Sequence, residues 1–414
     1  MKIIIVGVGN RGGIYGNHAM EQGVEVAAIA ERKPDRREKA MIRYHLSEAQ
    51  CYAEADELLA QPKMADAAVI STLDGDHFGH AMAALEKGYD LLLEKPISPT
   101  AQQCQAIARR ANELGRKVAV CHVLRYAPLF TEMKRVIDEG RLGRVITIHH
   151  HESIGNFHMA HSYVRGNWRR KADTSPIIMA KSCHDLDLMV WYVGAKCRRV
   201  SSFGDLTYFK SENAPVGAAK RCFDCPHQDS CRFSVKHTYL PVRGQWPALP
   251  ITADQSEEGL IKALKEGPYG RCVYFCDNDV CDHQVTLMEF ENGVTVTFNL
   301  SAFGNRISRT TRVMCEHGEI ALSEEDNTLT VTPYVSNSVY RSPSEVIHPA
   351  SAGSGHGGGD ACLLANFVDA IEHHTEARSD INQSVESHLI ALAAEEARLT
   401  GQVIDMAEFR ARNL

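Results

Sequence analysis

KIIIVGVGNRG, residues 2–12, predicts the architecture of the N-terminal third of this chain. Residues 2–6 form a short apolar run typical of a buried strand, and Gly7, Gly9 and Gly12 follow in the pattern G-x-G-x-x-G. The first glycine permits a tight turn, and the second lets a pyrophosphate approach the backbone at the positive end of a helix. Because the motif lies between a strand and a helical segment, it predicts a dinucleotide site on a β-α-β unit.

The same alternation of strand and helix continues along the chain from this motif. Four further short apolar runs, separated by segments of helical character, lie at residues 24–30, 67–71, 89–93 and 117–121. Strands that alternate with helices in this way form a parallel sheet with right-handed crossovers. We therefore predict an α/β fold in which residues 1–124 form an NAD-binding Rossmann domain.

The residue that follows the second apolar run indicates which dinucleotide binds. Glu31 stands at this position. A carboxylate there accepts hydrogen bonds from the hydroxyls of the adenosine ribose and repels a 2′-phosphate, so the pattern predicts NAD. The neighbouring cations Arg32 and Lys33 would attract a phosphate, and they leave NADP as the alternative.

The pattern changes after about residue 125, where the apolar runs become longer and alternate with polar residues. Residues 285–290 and 294–300 flank Asn292-Gly293 and predict a tight hairpin. We predict that residues 125–414 form an α/β substrate-binding and oligomerisation domain with an open, largely antiparallel sheet. A sheet face that exposes apolar side chains favours association, so a homodimer or homotetramer is expected.

Composition excludes several classes of partner. A chain of 414 residues exceeds the size of one hydrophobic core, which agrees with two domains. The formal net charge of −7 provides no basic surface for a phosphate backbone, so nucleic acid is not expected as a partner. No stretch approaches the ~20 apolar residues needed to cross a bilayer, so no membrane partner is expected. Most of the 13 cysteines are isolated, which is typical of a reducing cytoplasm.

Three motifs in the N-terminal half carry a family resemblance. They read STLDGDH at residues 71–77, EKP at residues 94–96 and HVLRYAP at residues 122–128. Together with the glycine motif they resemble the Gfo/Idh/MocA oxidoreductases, although Leu73 replaces the usual proline. The resemblance implies a Rossmann domain, an open-faced α/β domain and chemistry on sugars, inositols or related polyols. The cofactor-binding residues predicted from the four motifs and from the end of the second apolar run are Gly7, Gly9, Asn10, Arg11, Gly12, Glu31, Arg32, Ser71, Thr72, Leu73, His77, Glu94, Lys95, His122 and Arg125.

The candidate catalytic residues are a lysine and a histidine. Lys95 follows a strand at the end where an open sheet presents residues to its ligand, and its ammonium group can polarise a hydroxyl. His184 has a side chain suited to accept the proton of that hydroxyl while hydride leaves the same carbon. Many family members carry an aspartate four residues earlier, where this sequence has Ala180 followed by Lys181. Lys181 and Tyr163 are therefore further catalytic candidates.

Polar and aromatic residues that could recognise sugar hydroxyls cluster in the second domain. A zinc site at the run of histidines, residues 149–151 with Glu152, is an alternative, but consecutive side chains on a strand point to opposite faces. The predicted substrate-binding residues are His158, His161, Arg165, Trp168, Asp185, His356 and Asp360.

An insertion at about residues 206–282 contains a cysteine cluster. Cys222, Cys225 and Cys231 are closely spaced, and Cys272 lies downstream. Four thiolates would complete a tetrahedral structural zinc site. An iron-sulfur cluster, reduced thiols and disulfide bonds are the alternatives.

Three functions are consistent with these features. The first is an NAD-dependent oxidoreductase that transfers hydride to or from a hydroxyl-bearing carbon of a sugar, cyclitol or related polyol. The second, implied by some relatives of this type, is a redox-neutral glycosidase in which transient oxidation acidifies a neighbouring C–H bond, elimination follows, and the hydride returns. The third is a non-catalytic NAD-binding regulator. Retention of Lys95 and His184 disfavours the third.

Overall fold

A six-stranded parallel sheet forms the N-terminal domain. The structure, a computed structural model, describes residues 1–335, 342–350 and 355–414. The strands of this sheet run in the spatial order β3-β2-β1-β4-β5-β6. Their bounds are β1 Lys2–Val6, β2 Glu25–Ala30, β3 Cys51–Tyr52, β4 Ala67–Ile70, β5 Asp90–Leu93 and β6 Val118–Val120. The helices between them are α1 Asn10–Glu21, α2 Pro34–Arg43, α3 Ala55–Ala60, α4 His77–Glu86 and α5 Ala101–Glu113.

The strand order places the predicted site at the centre of this sheet. Chain order reverses between β1 and β4, so the carboxyl ends of these strands open a crevice where parallel sheets bind their ligands. The central strands are fully buried because helices cover both faces, which explains their continuous apolar runs. The predicted Rossmann architecture is confirmed.

A nine-stranded mixed sheet forms the second domain, in the order β14-β13-β12-β11-β7-β10-β9-β8-β15. Neighbouring strands are antiparallel except for β7 and β10, which are parallel. The strands are β7 Val145–Ser153, β8 Cys197–Asp205, β9 His283–Phe290, β10 Thr295–Ser301, β11 Ser308–Cys315, β12 Gly318–Ser323, β13 Thr328–Pro333, β14 Glu345–Ile347 and β15 Ile404–Asp405. The helices are α6 Pro128–Asp138, α7 Asn156–His158, α8 Ile177–Ala180, α9 Cys183–Val193, α10 Val235–Thr238, α11 Glu257–Glu266, α12 Gly359–Glu372, α13 Ile381–Thr400 and α14 Met406–Arg412.

One face of this sheet is buried and the other is open. On β7, Ile148 and His150 are buried, whereas His149 points to the open face. Apolar side chains of other strands in the sheet are exposed on that face, including Phe203 on β8 and Leu287 on β9. The alternation confirms the predicted open, largely antiparallel sheet, and it separates the consecutive histidines as the pleat requires.

Two C-terminal helices join the domains. The apolar residues of α12, including Phe367, share a core with Ile3 and Ile5 of β1. On α13, the ring of His388 accepts a hydrogen bond from the backbone amide of Ile97, at 2.9 Å. The His388 contact holds the backbone just after the EKP motif against the second domain. Among the described residues, no helix combines the length and hydropathy needed for a membrane span.

The cysteine-containing insertion folds as short helices and turns around a small core of its own, which includes Cys222, Tyr239 and Leu260. All 13 cysteines are unpaired in the structure. In the described parts of the chain, no three His, Cys, Asp or Glu side chains are grouped to hold a metal ion. The structure therefore does not support the predicted zinc site of Cys222, Cys225, Cys231 and Cys272, because Cys222 packs in the small core of the insertion whereas Cys272 belongs to the main core and Cys231 packs against it.

Candidate active site

The glycine motif forms a turn that larger residues could not form. Gly7 has a φ of +89°, and a Cβ added there would lie 2.7 Å from the carbonyl oxygen of Ser71. A Cβ on Gly12 would lie 2.0 Å from the carbonyl oxygen of Gly7. The hydroxyl of Ser71 donates to that same Gly7 carbonyl at 2.7 Å. The turn leaves the first amides of α1 directed toward the crevice, so these residues fit a pyrophosphate group.

Glu31 lies at the end of β2 and faces the glycine turn. Its carboxylate accepts hydrogen bonds from the backbone amide of Val8, at 2.9 Å, and from that of Lys33, at 3.0 Å. This arrangement fixes the carboxylate beside the turn. Arg32 is exposed and pairs with the carboxylates of Glu54, at 2.8 Å, and Asp76, at 3.7 Å. The positive charge of Arg32 is therefore paired with the negative charges of these two carboxylates.

Arg11 connects the glycine motif to two other parts of the chain. Its Nε donates to Glu94 at 2.7 Å, and its Nη2 donates to Asp360 at 2.5 Å and also to the Tyr15 hydroxyl. Burial raises the pKa of Asp360, but hydrogen bonds from His356 and Arg11 outweigh burial and lower the pKa to about 2. The predicted substrate residue Asp360 is thus an anionic partner of Arg11 at the start of α12.

The STLDGDH and EKP motifs meet through His77. Its Nδ1 is 2.8 Å from the carbonyl oxygen of Pro96, and its Nε2 is 3.2 Å from that of Thr72. Leu73, which follows Thr72 in the loop after β4, is exposed. His77 therefore fixes the relative position of two loops at the carboxyl ends of β4 and β5.

Lys95 bridges the two domains. Its ammonium nitrogen donates to the carbonyl oxygen of Ala180 at 3.0 Å, and its backbone amide donates to Glu94 at 2.9 Å. Although burial raises the pKa of Glu94, the charges of Arg11 and Lys95 lower it overall. The Glu94 carboxylate thus fixes the backbone of Lys95. From there the Lys95 side chain extends across the crevice to Ala180.

His184 lies in the first turn of α9, directly beyond the segment that Lys95 contacts. Burial, and then the charges of Lys95 and His122, hold the pKa of His184 well below its ordinary value. Its Nδ1 has no hydrogen-bond partner among the described residues. The His184 ring centroid is 5.7 Å from that of His122 and 6.1 Å from that of His356. A neutral imidazole with an unused nitrogen is able to accept a proton.

A buried charged cluster stands beside these residues. Lys181 pairs with Glu152 at 2.9 Å, and Arg309 links Glu152, at 2.7 Å, to Asp185, at 2.6 Å. His150 contacts the same Asp185 oxygen through Nε2 at 2.9 Å. Burial and the charge of Asp185 raise the pKa of Glu152, against the effect of Lys181 and Arg309. The predicted residues Lys181 and Asp185 are thus held in one network.

Aromatic side chains line the remaining side of the site. The Trp168 indole donates to Asp74 at 3.2 Å, and the ring of Tyr163 is 6.4 Å from that of Trp168. His161 stacks on Tyr269 of the insertion, with ring centroids 4.8 Å apart. His161 and Tyr163 lie in a π-helical turn, Met159–Arg165, a geometry common at functional sites, and Trp168 lies just after it.

Three predicted residues are used for interdomain or insertion contacts. Arg125 forms a bidentate pair with Asp187 at 2.6 and 2.8 Å, and His122 is 3.6 Å from the same carboxylate. Arg165 is buried and donates to the carbonyl oxygens of Arg271 and Phe233, at 2.7 and 2.8 Å. The guanidinium of Arg165 therefore anchors the insertion rather than pointing into the crevice.

Sequence patterns did not indicate four residues that the structure adds to the site: Asp74, Arg309, Tyr269 and Trp246, whose ring is 5.8 Å from that of His161. Asp74 lies inside the STLDGDH motif, so the motif could have indicated that this residue belongs to the site. The alternation of side chains along β11 places Arg309 on the buried face of that strand, where an arginine requires anionic partners. Nothing in the irregular insertion indicated where Trp246 and Tyr269 would lie.

Comparison with known proteins agrees with this geometry. Two family models of an oxidoreductase family match, the NAD-binding Rossmann fold at residues 1–122 and the C-terminal alpha/beta domain at residues 134–406. Both carry the family name Gfo/Idh/MocA.

The curated relatives and the solved structure described next share a quarter or less of their aligned residues with this chain. The putative oxidoreductase YteT of Bacillus subtilis is 22% identical over 75% of this chain and 74% of its own length. Inositol 2-dehydrogenase/D-chiro-inositol 3-dehydrogenase of Lactiplantibacillus plantarum is 25% identical over 52% of this chain and 59% of its own length. The structure of UDP-N-acetylglucosamine 3-dehydrogenase from Acidithiobacillus ferrooxidans matches with a TM-score of 0.66 and 17% identity, covering 97% of this chain and 98% of that one. The chain therefore belongs to the Gfo/Idh/MocA family of NAD(P)-dependent oxidoreductases.

Proposed function

We propose that this protein uses NAD to transfer hydride to or from a hydroxyl-bearing carbon of a sugar, cyclitol or related polyol. The observation that carries the proposal is that the Glu94 carboxylate binds both Arg11 of the glycine motif and the backbone of Lys95, whose side chain reaches Ala180, four residues before the buried His184. The similarity to a named inositol dehydrogenase supports a cyclic polyol as the substrate class.

The described residues divide the reaction between them. NAD supplies a hydride acceptor when bound, and the turn at Gly7 and Gly12, with Glu31, would hold it. Lys95 polarises the substrate hydroxyl with its ammonium group, and His184 accepts the hydroxyl proton on an imidazole nitrogen. Because His184 is buried among cations, the proton it accepts is readily released again, which suits a reversible reaction.

A screen of sugars and inositols tests this function. We expect NADH absorbance to rise when the purified protein and NAD meet a suitable free sugar, inositol or glycoside. Released aglycone is measured in the same wells. If no compound of these classes yields NADH or aglycone, hydride transfer is rejected and the NAD-binding regulator becomes the leading function.

A second candidate is the redox-neutral glycosidase. The observation that favours it is the Lys181–Glu152 pair, a second acid–base couple beside Lys95 in which burial raises the pKa of the carboxyl. Elimination from a transient ketone needs a base for the acidified C–H bond and an acid for the departing oxygen. Aglycone release with catalytic NAD and no NADH accumulation is the expected result, and stoichiometric NADH would contradict it.

A further inference from the structure

A row of four rings leads away from the proposed hydride-transfer site into the insertion. It consists of Trp168, Tyr163, His158 and Trp246, with successive centroid distances of 6.4, 5.8 and 5.1 Å. We call this set the aromatic row. Its inner end is bound to the crevice through the hydrogen bond between Trp168 and Asp74. The outer end, Trp246, lies next to His158, whose pKa is lowered by burial and which is close enough to Lys181 and Lys95 for their charges to lower it further.

Trp246 is both exposed and held in place. Its side chain is 43% exposed, although tryptophan has a large apolar surface that is costly to leave in water. Its ring makes edge contacts with Phe157, at 5.6 Å, and His161, at 5.8 Å. Because three rings hold Trp246 in place while part of its side chain stays open to solvent, it forms a preorganised surface for a flat ligand.

His158 adds a polar group next to this surface. Its Nδ1 is buried and has no hydrogen-bond partner in the described part of the chain. Burial, followed by the charge of Lys181, keeps the pKa of His158 well below its ordinary value, so the ring is neutral. A neutral imidazole can both donate and accept a hydrogen bond, which matches a hydroxyl group or a glycosidic oxygen.

We propose that Trp246 and His158 form a second-ring subsite, and that the substrate is a glycoside whose second ring stacks on Trp246. The inference rests on the proposed function for the placement of the first ring at Lys95 and His184. The second ring is either another sugar, through its apolar C–H face, or an aromatic aglycone. His158 binds an oxygen at the junction of the two rings.

Equilibrium binding to the NAD complex tests the subsite independently of turnover. Glucose, galactose and mannose are titrated as free sugars, as disaccharides and as 4-nitrophenyl glycosides, using calorimetry. We expect at least one two-ring compound to bind more tightly than its single-ring counterpart. In Trp246→Ala that advantage should fall by about 2- to 10-fold, the range expected for loss of one ring contact. The disaccharide and nitrophenyl arms show which kind of second ring is preferred.

Two further variants separate stacking from damage to the insertion. Trp246→Phe keeps a ring and should retain most of the two-ring advantage, whereas Leu249→Ala, at an exposed neighbour in the same segment, should leave it unchanged. The subsite is overturned if no two-ring compound gains over its single-ring partner, or if Trp246→Ala weakens both equally. NADH formation in the wild type is scored separately, so hydride transfer can stand while the subsite fails.

Discussion

At the scale of single residues, the site depends on where a few charges are fixed. Lys95 is held by its backbone bond to Glu94 and its side-chain bond to Ala180, so its ammonium group crosses the interdomain crevice. His184 is kept neutral by burial and by that same charge. The two proposed roles thus depend on where each side chain is held as well as on its type.

We predict that Lys95→Ala and His184→Ala lower turnover without loss of NAD. Removal of a general acid or base costs about 10²- to 10⁴-fold in rate, whereas NAD affinity rests mainly on the glycine turn and Glu31. Steady-state kinetics and NAD titration on the same preparations measure both effects. Lys262→Ala, an exposed lysine on α11, is the control. If either variant keeps more than about a third of the wild-type kcat, its assignment is wrong and Lys181 or Tyr163 takes its place.

Cofactor preference is a second prediction at this scale. The wild type should bind NAD more tightly than NADP, because the Glu31 carboxylate faces the turn while Arg32 pairs with Glu54. Glu31→Gln keeps the shape but removes the negative charge, so it should narrow the difference between the two cofactors. Calorimetric titration of both proteins with both cofactors measures it. Equal or tighter NADP binding by the wild type would mean that Arg32 and Lys33 dominate.

At the scale of elements, the site is assembled by helices distant in sequence from the glycine motif. Helix α12 brings Asp360 to Arg11, and α13 brings His388 to the backbone of Ile97. Arg165 fastens the insertion to the π-helical turn, which places Trp246 beside His158. Contacts between elements, rather than the elements themselves, define the walls of the crevice.

His388 makes the interdomain contact sensitive to acid. Burial, and then the nearby His122, lower the pKa of His388 from 6.5 to about 3. The unfolded chain therefore binds a proton at this residue between these two values while the folded chain does not, so stability is retained above about pH 6.5 and is lost as the pH falls toward 3.

The variant His388→Gln tests this linkage. Glutamine can accept from Ile97 and donate to the Ser384 carbonyl, as His388 does, but it does not titrate. Between pH 6 and 4 its free energy of unfolding should fall less steeply than that of the wild type, by up to about 1.4 kcal/mol per pH unit. Denaturant unfolding at several pH values provides the measurement. Parallel slopes would show that His388 is not a source of acid instability.

At the scale of the whole molecule, the open face of the nine-stranded sheet has no covering layer within the described chain. We propose that a second copy covers it, as a homodimer or homotetramer, because Phe203 on β8 and Leu287 on β9 lie exposed on that face. Light scattering at micromolar concentration should give more than one chain per particle. The variant Leu287→Glu should shift the protein toward the monomer, whereas Leu399→Glu, an exposed leucine on α13, should not. A monomeric wild type would refute this proposal.

The sequence alone determined the local features of this protein. The glycine turn, the alternation of strands and helices and the hairpin between β9 and β10 depend on neighbouring residues, whose periodicity and steric demands can be read in order. The strand-terminal positions of Glu31 and Lys95 follow for the same reason. These features were sufficient to predict two α/β domains and a dinucleotide site.

Which distant residues meet could not be predicted from the sequence and became clear from the folded structure. Arg11 and Asp360, Lys181 and Glu152, and the ring of Trp246 beside His158 are brought together by packing across domains, for which a linear pattern carries no signal. The cysteine spacing in the insertion indicated a metal site, but packing divides these cysteines between the small core and the main core, and within the described residues they are not grouped to hold a metal ion. The periodicity of a segment indicates which of its faces must be buried. Which other element covers that face depends on the packing of the whole chain.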